Sequence, residues 1–197
     1  MTQDVGGTRG DMVVGGYVVV LPTTPHPASG LPDTIVTVSH CQTDAPSHEL
    51  FGWFTDAEEA AAACVGTPGA RVASVGIDRR DTGWFLQQYG GPEAELFDVL
   101  REMQPFPGGG VLLGHEVVGV GAIFFVHSWH CHDYAGWVQD ELGVTVNALG
   151  LVAGHGDAER VRDWMLALPL EHQPAPVTWI VVGIAVPAGD VLAASVA

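Results

Sequence analysis

The sequence predicts an α+β fold: a single domain over residues 1–197, of two similar β-α-β halves around a mixed or antiparallel sheet with helices on one face. Three observations predict it. Hydrophobic residues make up 47% of the 197 positions, enough for a sizeable core. Valine-rich runs alternate only in part with helical stretches, and several follow one another directly, which disfavours a doubly wound parallel sheet. Finally, segments recur. Phe51-Gly52-Trp53-Phe54 followed by Asp56-Ala57-Glu58 leads through a helix to Val75-Gly76-Ile77. Leu149-Gly150-Leu151-Val152 followed by Asp157-Ala158-Glu159 leads through a helix to Val182-Gly183-Ile184. Each copy is preceded by a His-Cys pair, His40-Cys41 and His130-Cys131, so residues 12–78 and 112–186 read as an internal repeat.

The elements follow in order. Residues 1–11 are polar and glycine-rich and are expected to fray. Met12–Leu21 is a strand of β-formers, Pro22–Pro32 a proline-rich loop, and Thr34–Ser39 a second, alternating strand. Thr55 through Glu58 is a capping box that opens an alanine-rich helix, ended by Gly66 or Pro68. Arg71–Ile77 is a strand, and Pro92–Met103 places Leu96, Val99, Leu100 and Met103 at helical spacing. Pro105–Gly110 is a linker. Val111–Val126 contains Gly114, Gly119 and Gly121 and is two strands or one bent strand. Ser128 is expected to cap a helix that Gly143 ends. Val144–Val152 is strand-like, Asp157–Leu168 a helix, Pro169–Pro176 a loop and Val177–Val186 a closing strand. The expected core includes Val18, Val36, Val75, Leu100, Phe124, Val138, Val161, Ile180 and Val182.

Charge narrows the function classes. Acidic residues number 23 against 7 basic ones, a formal net charge of −16. Such a surface repels phosphate backbones and anionic lipid, which argues against nucleic-acid and membrane partners. All seven bases are arginine, a bias that reads as the codon usage of a GC-rich bacterial genome. Three cysteines make no disulfide framework and suit a reducing cytoplasm. No stretch approaches the ~20 apolar residues that span a bilayer. The run 12–21 lacks the basic start of a secretory leader, so a buried strand is expected there.

One segment concentrates reactive side chains: His127-Ser128-Trp129-His130-Cys131-His132-Asp133. With Ser128 as helix cap, Cys131 falls in the first turn, where the helix dipole favours thiolate. His127 lies four residues before it, within imidazole reach of the sulfur. Cys131, His127 and His130 are therefore the candidate catalytic residues. Cys131 also shares a helical stripe with Ala135, Val138 and Leu142, the pattern of a buried structural thiol. The metal reading brings His40 and Cys41 across the pseudo-twofold to His130 and Cys131, a set suited to zinc or copper, although no paired C-x-x-C is present. Elsewhere, His115 and Glu116 are adjacent on a strand and should point to opposite faces. His155 precedes a helix start between two glycines, where an anion could be received.

Two functional expectations follow. The first is a small cytoplasmic enzyme acting on a small molecule or peptide through a His/Cys centre. The second is a non-catalytic acidic module, of the kind that neutralises a basic toxin, binding a basic protein partner. Glycine-rich strands and six tryptophans also permit a homodimer.

Overall fold

The computed structural model describes residues 11–21, 23–24, 31–39, 53–89, 98–121, 126–130, 134–169, 172 and 177–190. Four long strands, β1 (Met12–Val20), β3 (Arg71–Asp78), β4 (Val111–Val120) and β6 (Thr178–Val186), arise where β-branched residues cluster. Two short strands join them, β2 (Trp53–Phe54) and β5 (Val126–Ser128). All six form one sheet in the order β2-β1-β3-β6-β4-β5, and every pairing is antiparallel.

Five helices complete the described chain: α1 (Ala57–Ala63), α2 (Arg79–Tyr89), α3 (Asp98–Glu102), α4 (Tyr134–Leu142) and α5 (His155–Ala167). Helix α1 starts one residue later than the capping box implies. Asp56, rather than Thr55, is the cap, and its carboxylate accepts from the backbone N–H groups of Glu58 and Glu59. The sequence reading missed α2. It leaves β3 without a loop, and Asp78 accepts from the Arg80 N–H at 3.2 Å across the junction.

Both faces of the sheet are apolar, and β6 is buried at every position after Thr178. Ala73, Val75 and Ile77 of β3 join Ile180, Val182 and Ile184 of β6 and Val118 of β4 in one core cluster. The alternate residues Val117, Trp179 and Val181 form a second cluster with Tyr134 and Val138 of α4 and Ala158, Val161 and Met165 of α5. Phe85 of α2 and Leu100 of α3 enter the first cluster. Helices therefore contribute to both clusters, not to one face alone, because a sheet apolar on both sides must be covered twice. Of the expected core residues, Phe124 lies outside the described residues and the others are buried.

The strand order reads alike from either edge, and Gly76 of β3 faces Gly183 of β6 at the centre. The halves nevertheless differ. One helix separates β2 from β3, whereas two separate β5 from β6. The bulges fall between Val14 and Gly16 in β1 but between Leu112 and Gly114 in β4. The internal duplication is not confirmed. Thr34–Ser39 also departs from expectation. Among the described residues Ile35 forms an isolated bridge to Thr23, the Val36 N–H donates to Leu149, and the Val38 N–H goes to a side chain instead of a strand.

The expected linker is partly built into the sheet. Val14 N–H donates to Gln104 and Phe106 N–H to Met12, so residues 104–106 run beside the start of β1. This places the Phe106 ring over the paired central glycines. A Cβ on Gly76 would lie 2.5 Å from that ring, and one on Gly183 would lie 2.6 Å from it. Gly183→Ala should therefore destabilise the fold by about 1–3 kcal/mol through overpacking. In urea melts, Gly183→Ala combined with Phe106→Leu should lose less than the sum of the two single variants. Strict additivity would show that the ring does not rest on this floor.

Candidate functional site

The β4 strand carries two polar side chains in succession. Val117 and Val118 fall in different core clusters, and His115 and Glu116 divide between the faces in the same way.

Glu116 is completely buried. Its Oε1 accepts from the Thr37 hydroxyl at 2.5 Å and its Oε2 from the Val38 N–H at 2.9 Å. The Ser128 hydroxyl, which faces the same side from β5, donates as well. Both hydroxyls accept a backbone N–H themselves, Thr37 from Ser39 and Ser128 from His130. Their own protons are thereby left for the carboxylate. Burial pushes the Glu116 carboxyl up, and the three donors oppose that shift. The arrangement pins residues 37–39 to the sheet. A second tie holds the same segment, from Val36 N–H to Leu149.

His130 seals this pocket. Its Nδ1 lies 4.0 Å from Glu116 Oε1, its ring stacks at a tilt on Trp129, and its side chain has no exposure. Burial holds its pKa down at about 3, against a hydrogen bond that the imidazole makes to the Gly150 carbonyl, so the ring is neutral at physiological pH. Gly150 beside the ring has a positive φ of 77°, and a Cβ there would lie 2.6 Å from the Ile35 side chain, so glycine lets this turn close on Ile35. Asn147 shapes that loop. Its side chain donates to Leu113 O and accepts from the Leu149 and Leu151 N–H groups, which makes Val144–Val152 a folded loop where a strand was expected.

The expected catalytic group is only partly described. Ser128 ends β5 and helix α4 begins at Tyr134, so Ser128 is not the cap of that helix. The hydroxyl is instead committed to Glu116 and to the turn at His130. The helix-start argument for Cys131 loses its premise here, and Cys131 itself lies outside the described residues. His127 sits opposite Gly119, one residue before Ser128, and so leaves the sheet on the face away from Glu116. His127 and His130 are not brought together on one face. Of the expected metal set, His40, Cys41 and Cys131 lie outside the described residues and His130 is sealed. Among the described residues, no three histidine, cysteine or carboxylate side chains converge as a metal-binding group.

A second polar cluster, on the other side of the sheet, was not anticipated as a unit. His155, the first residue of α5, lies 3.6 Å from both Asp78 and Glu159 and stacks edge-on with His115. Arg80 pairs with Asp78 and Glu159, and Arg162 reaches Glu159 at 3.7 Å. The arginines hold the Glu159 carboxyl below its usual range. Burial, and then His155, hold the His115 imidazole below its own. These groups tie α5 to the junction of β3 and α2. The Asp78-Arg79-Arg80 run and the Glu159 to Arg162 spacing were the signals available in the sequence.

A concave feature of the surface lies apart from both clusters. A groove of about 370 Å³ opens beside β1 and residues 104–110, with Tyr17, Ser74 and Gln104 as its polar side chains. No histidine, cysteine or carboxylate is among the described residues lining it. No family model, curated protein or solved structure matches this chain.

Two outcomes follow from the sealed cluster. Glu116→Ala strands the Thr37 and Ser128 hydroxyls and the Val38 N–H, and should cost about 3–5 kcal/mol in urea unfolding. Neutral His130 is protonated more readily in the unfolded chain, so its contribution to stability is intact above pH 6.5 and is lost as pH falls toward 3. Glu116, with its raised pKa, has the opposite sign. The stability difference between wild type and His130→Gln therefore isolates the histidine. It should shrink below pH 6.5 by up to about 1.4 kcal/mol per pH unit. A difference independent of pH would mean that His130 titrates normally.

Proposed function

We propose that this chain is a non-catalytic acidic binding module whose partner is a basic protein. The observation that carries the reading is the separation of chemistry from access. His130 and Glu116 are closed inside the core, and among the described residues the groove beside β1 offers no histidine, cysteine or carboxylate for acid–base or thiol catalysis, its one titratable side chain being Tyr17.

Charge distribution supports the same reading. Arg79, Arg80, Arg160 and Arg162 are each committed to carboxylates of this chain. Among the described residues, exposed Glu58 and Glu59 on α1, and Asp140 and Glu141 on α4, form no ion pair with an arginine. The net charge of −16 therefore acts outward from carboxylates left open, drawing a basic surface at long range. A His/Cys enzyme remains the competing proposal, and it depends on Cys131.

A twelve-residue peptide of alternating lysine and glycine tests both. It should bind one to one at 50 mM salt and at least tenfold more weakly at 500 mM, as screening shortens the reach of the field. Cys131→Ala should bind the peptide as wild type does. No saturable binding would overturn the module reading. Loss of binding in Cys131→Ala would return the function to the His/Cys segment.

A further inference from the structure

Helix α4 presents an aromatic surface that its role in the core does not explain. Val138 and Ala135 point inward, whereas Trp137 is 44% exposed, an unusual position for so large an apolar ring. Trp137 meets Tyr134 at 5.8 Å and Trp164 of α5 at 6.4 Å, both edge-to-face, and Tyr134 meets Trp164 at 6.2 Å. The rings are held in place. The Trp164 indole N–H donates to Glu141 Oε2 at 2.7 Å, and the Tyr134 hydroxyl donates to the His172 carbonyl. Asp140 and Glu141 follow Trp137 by three and four residues, so both carboxylates stand one turn away on the same side of the helix. Both are exposed, and no arginine among the described residues pairs with either.

We propose that Trp137, with Asp140 and Glu141, is the contact site for an arginine side chain of the basic partner. This deepens the binding-module reading and rests on it. The indole face attracts a cation, a guanidinium stacks flat upon it, and its edge can donate to the two carboxylates. The ring is prearranged by Tyr134 and Trp164, so little order is lost when the contact forms. Exposed tryptophan beside uncompensated carboxylate is also the composition of an interface hot spot for a basic partner. Acidic α1 lacks such a ring among its exposed residues, which singles out α4.

The probe is an acetylated peptide of alternating arginine and glycine, compared with the same peptide carrying citrulline, which keeps the shape and loses the charge. Wild type should bind the arginine peptide at least tenfold more tightly by calorimetry, with a change in tryptophan emission. Trp137→Ala should lose at least tenfold in affinity, while Trp137→Phe should keep most of it. Asp140→Asn with Glu141→Gln should also lose about tenfold. This second variant removes charge and keeps shape, and the amide oxygen it places at position 141 can still accept the Trp164 N–H, so it tests the site even if the aromatic cluster loosens in Trp137→Ala. The charge-matched Glu58→Gln with Glu59→Gln should lose less than threefold. If the α1 variant loses binding and the α4 variants keep it, the basic-partner reading stands and this placement is overturned. If wild type binds neither the lysine nor the arginine peptide, both are overturned. Concentration-dependent dimerisation abolished by Trp137→Ala would assign the patch to a second copy of the chain and overturn the proposal.

Discussion

Four residue pairs between β3 and β6, Ser74 with Ala185 through Ile77 with Val182, join the two halves of the sheet. Everything else is arranged around that short seam. Its central pair is glycine on glycine, which leaves a shallow floor on one face for Phe106. On the other face, Val75, Ile77, Val182 and Ile184 form a continuous apolar strip. The seam thus receives an aromatic lid from residues 104–107 on one side and packed aliphatic side chains on the other. Because Phe106 also belongs to a segment bonded to β1, the lid and the sheet edge support one another.

Much of the strand framework was legible because valine runs mark it. β1, β3 and β6 lie where β-branched residues cluster, whereas only the edge pairs β1–β2 and β4–β5 join consecutive strands, so the central order β1-β3-β6-β4 was hidden. Failures came where side chains took over work usually done by backbone. Thr34–Ser39 alternates like a strand, yet its Val38 N–H is taken by Glu116 instead of a carbonyl. Val144–Val152 has strand composition, yet Asn147 satisfies its backbone locally and folds it into a loop. Ser128 resembles a helix cap because its hydroxyl does accept a nearby N–H, but that of His130 in a turn. Helix α2 was hidden because Gly83 weakens its propensity and because its capping residue, Asp78, is also the last residue of β3, with no loop between the two.

The site was less legible than the fold. Histidine density drew attention to residues 127–132, whereas the polar centre at its heart is Glu116, a lone acidic residue in a valine strand. A carboxylate at such a position needs several donors, and these come from residues 37, 38 and 128. That sequence distance conceals them from any local motif. The surface aromatics were equally ambiguous, since tryptophan serves cores and interfaces alike. Exposure of Trp137 beside Asp140 and Glu141 distinguishes the two uses.

His115 and Glu116 also bear on how the sheet finds its alignment. Valine-rich strands are prone to slip, because neighbouring apolar positions are nearly interchangeable and a shift costs little in packing. Here, a one-residue shift of β4 would place the carboxylate among Ala158 and Val161 beneath α5. The imidazole would then lie under Thr37 and Ser128. Neither group would find its partners, and a buried unpaired carboxylate is among the most unfavourable arrangements in a core. Two consecutive polar residues facing opposite ways therefore act as a vernier, giving an otherwise degenerate hydrophobic strand a single permitted alignment.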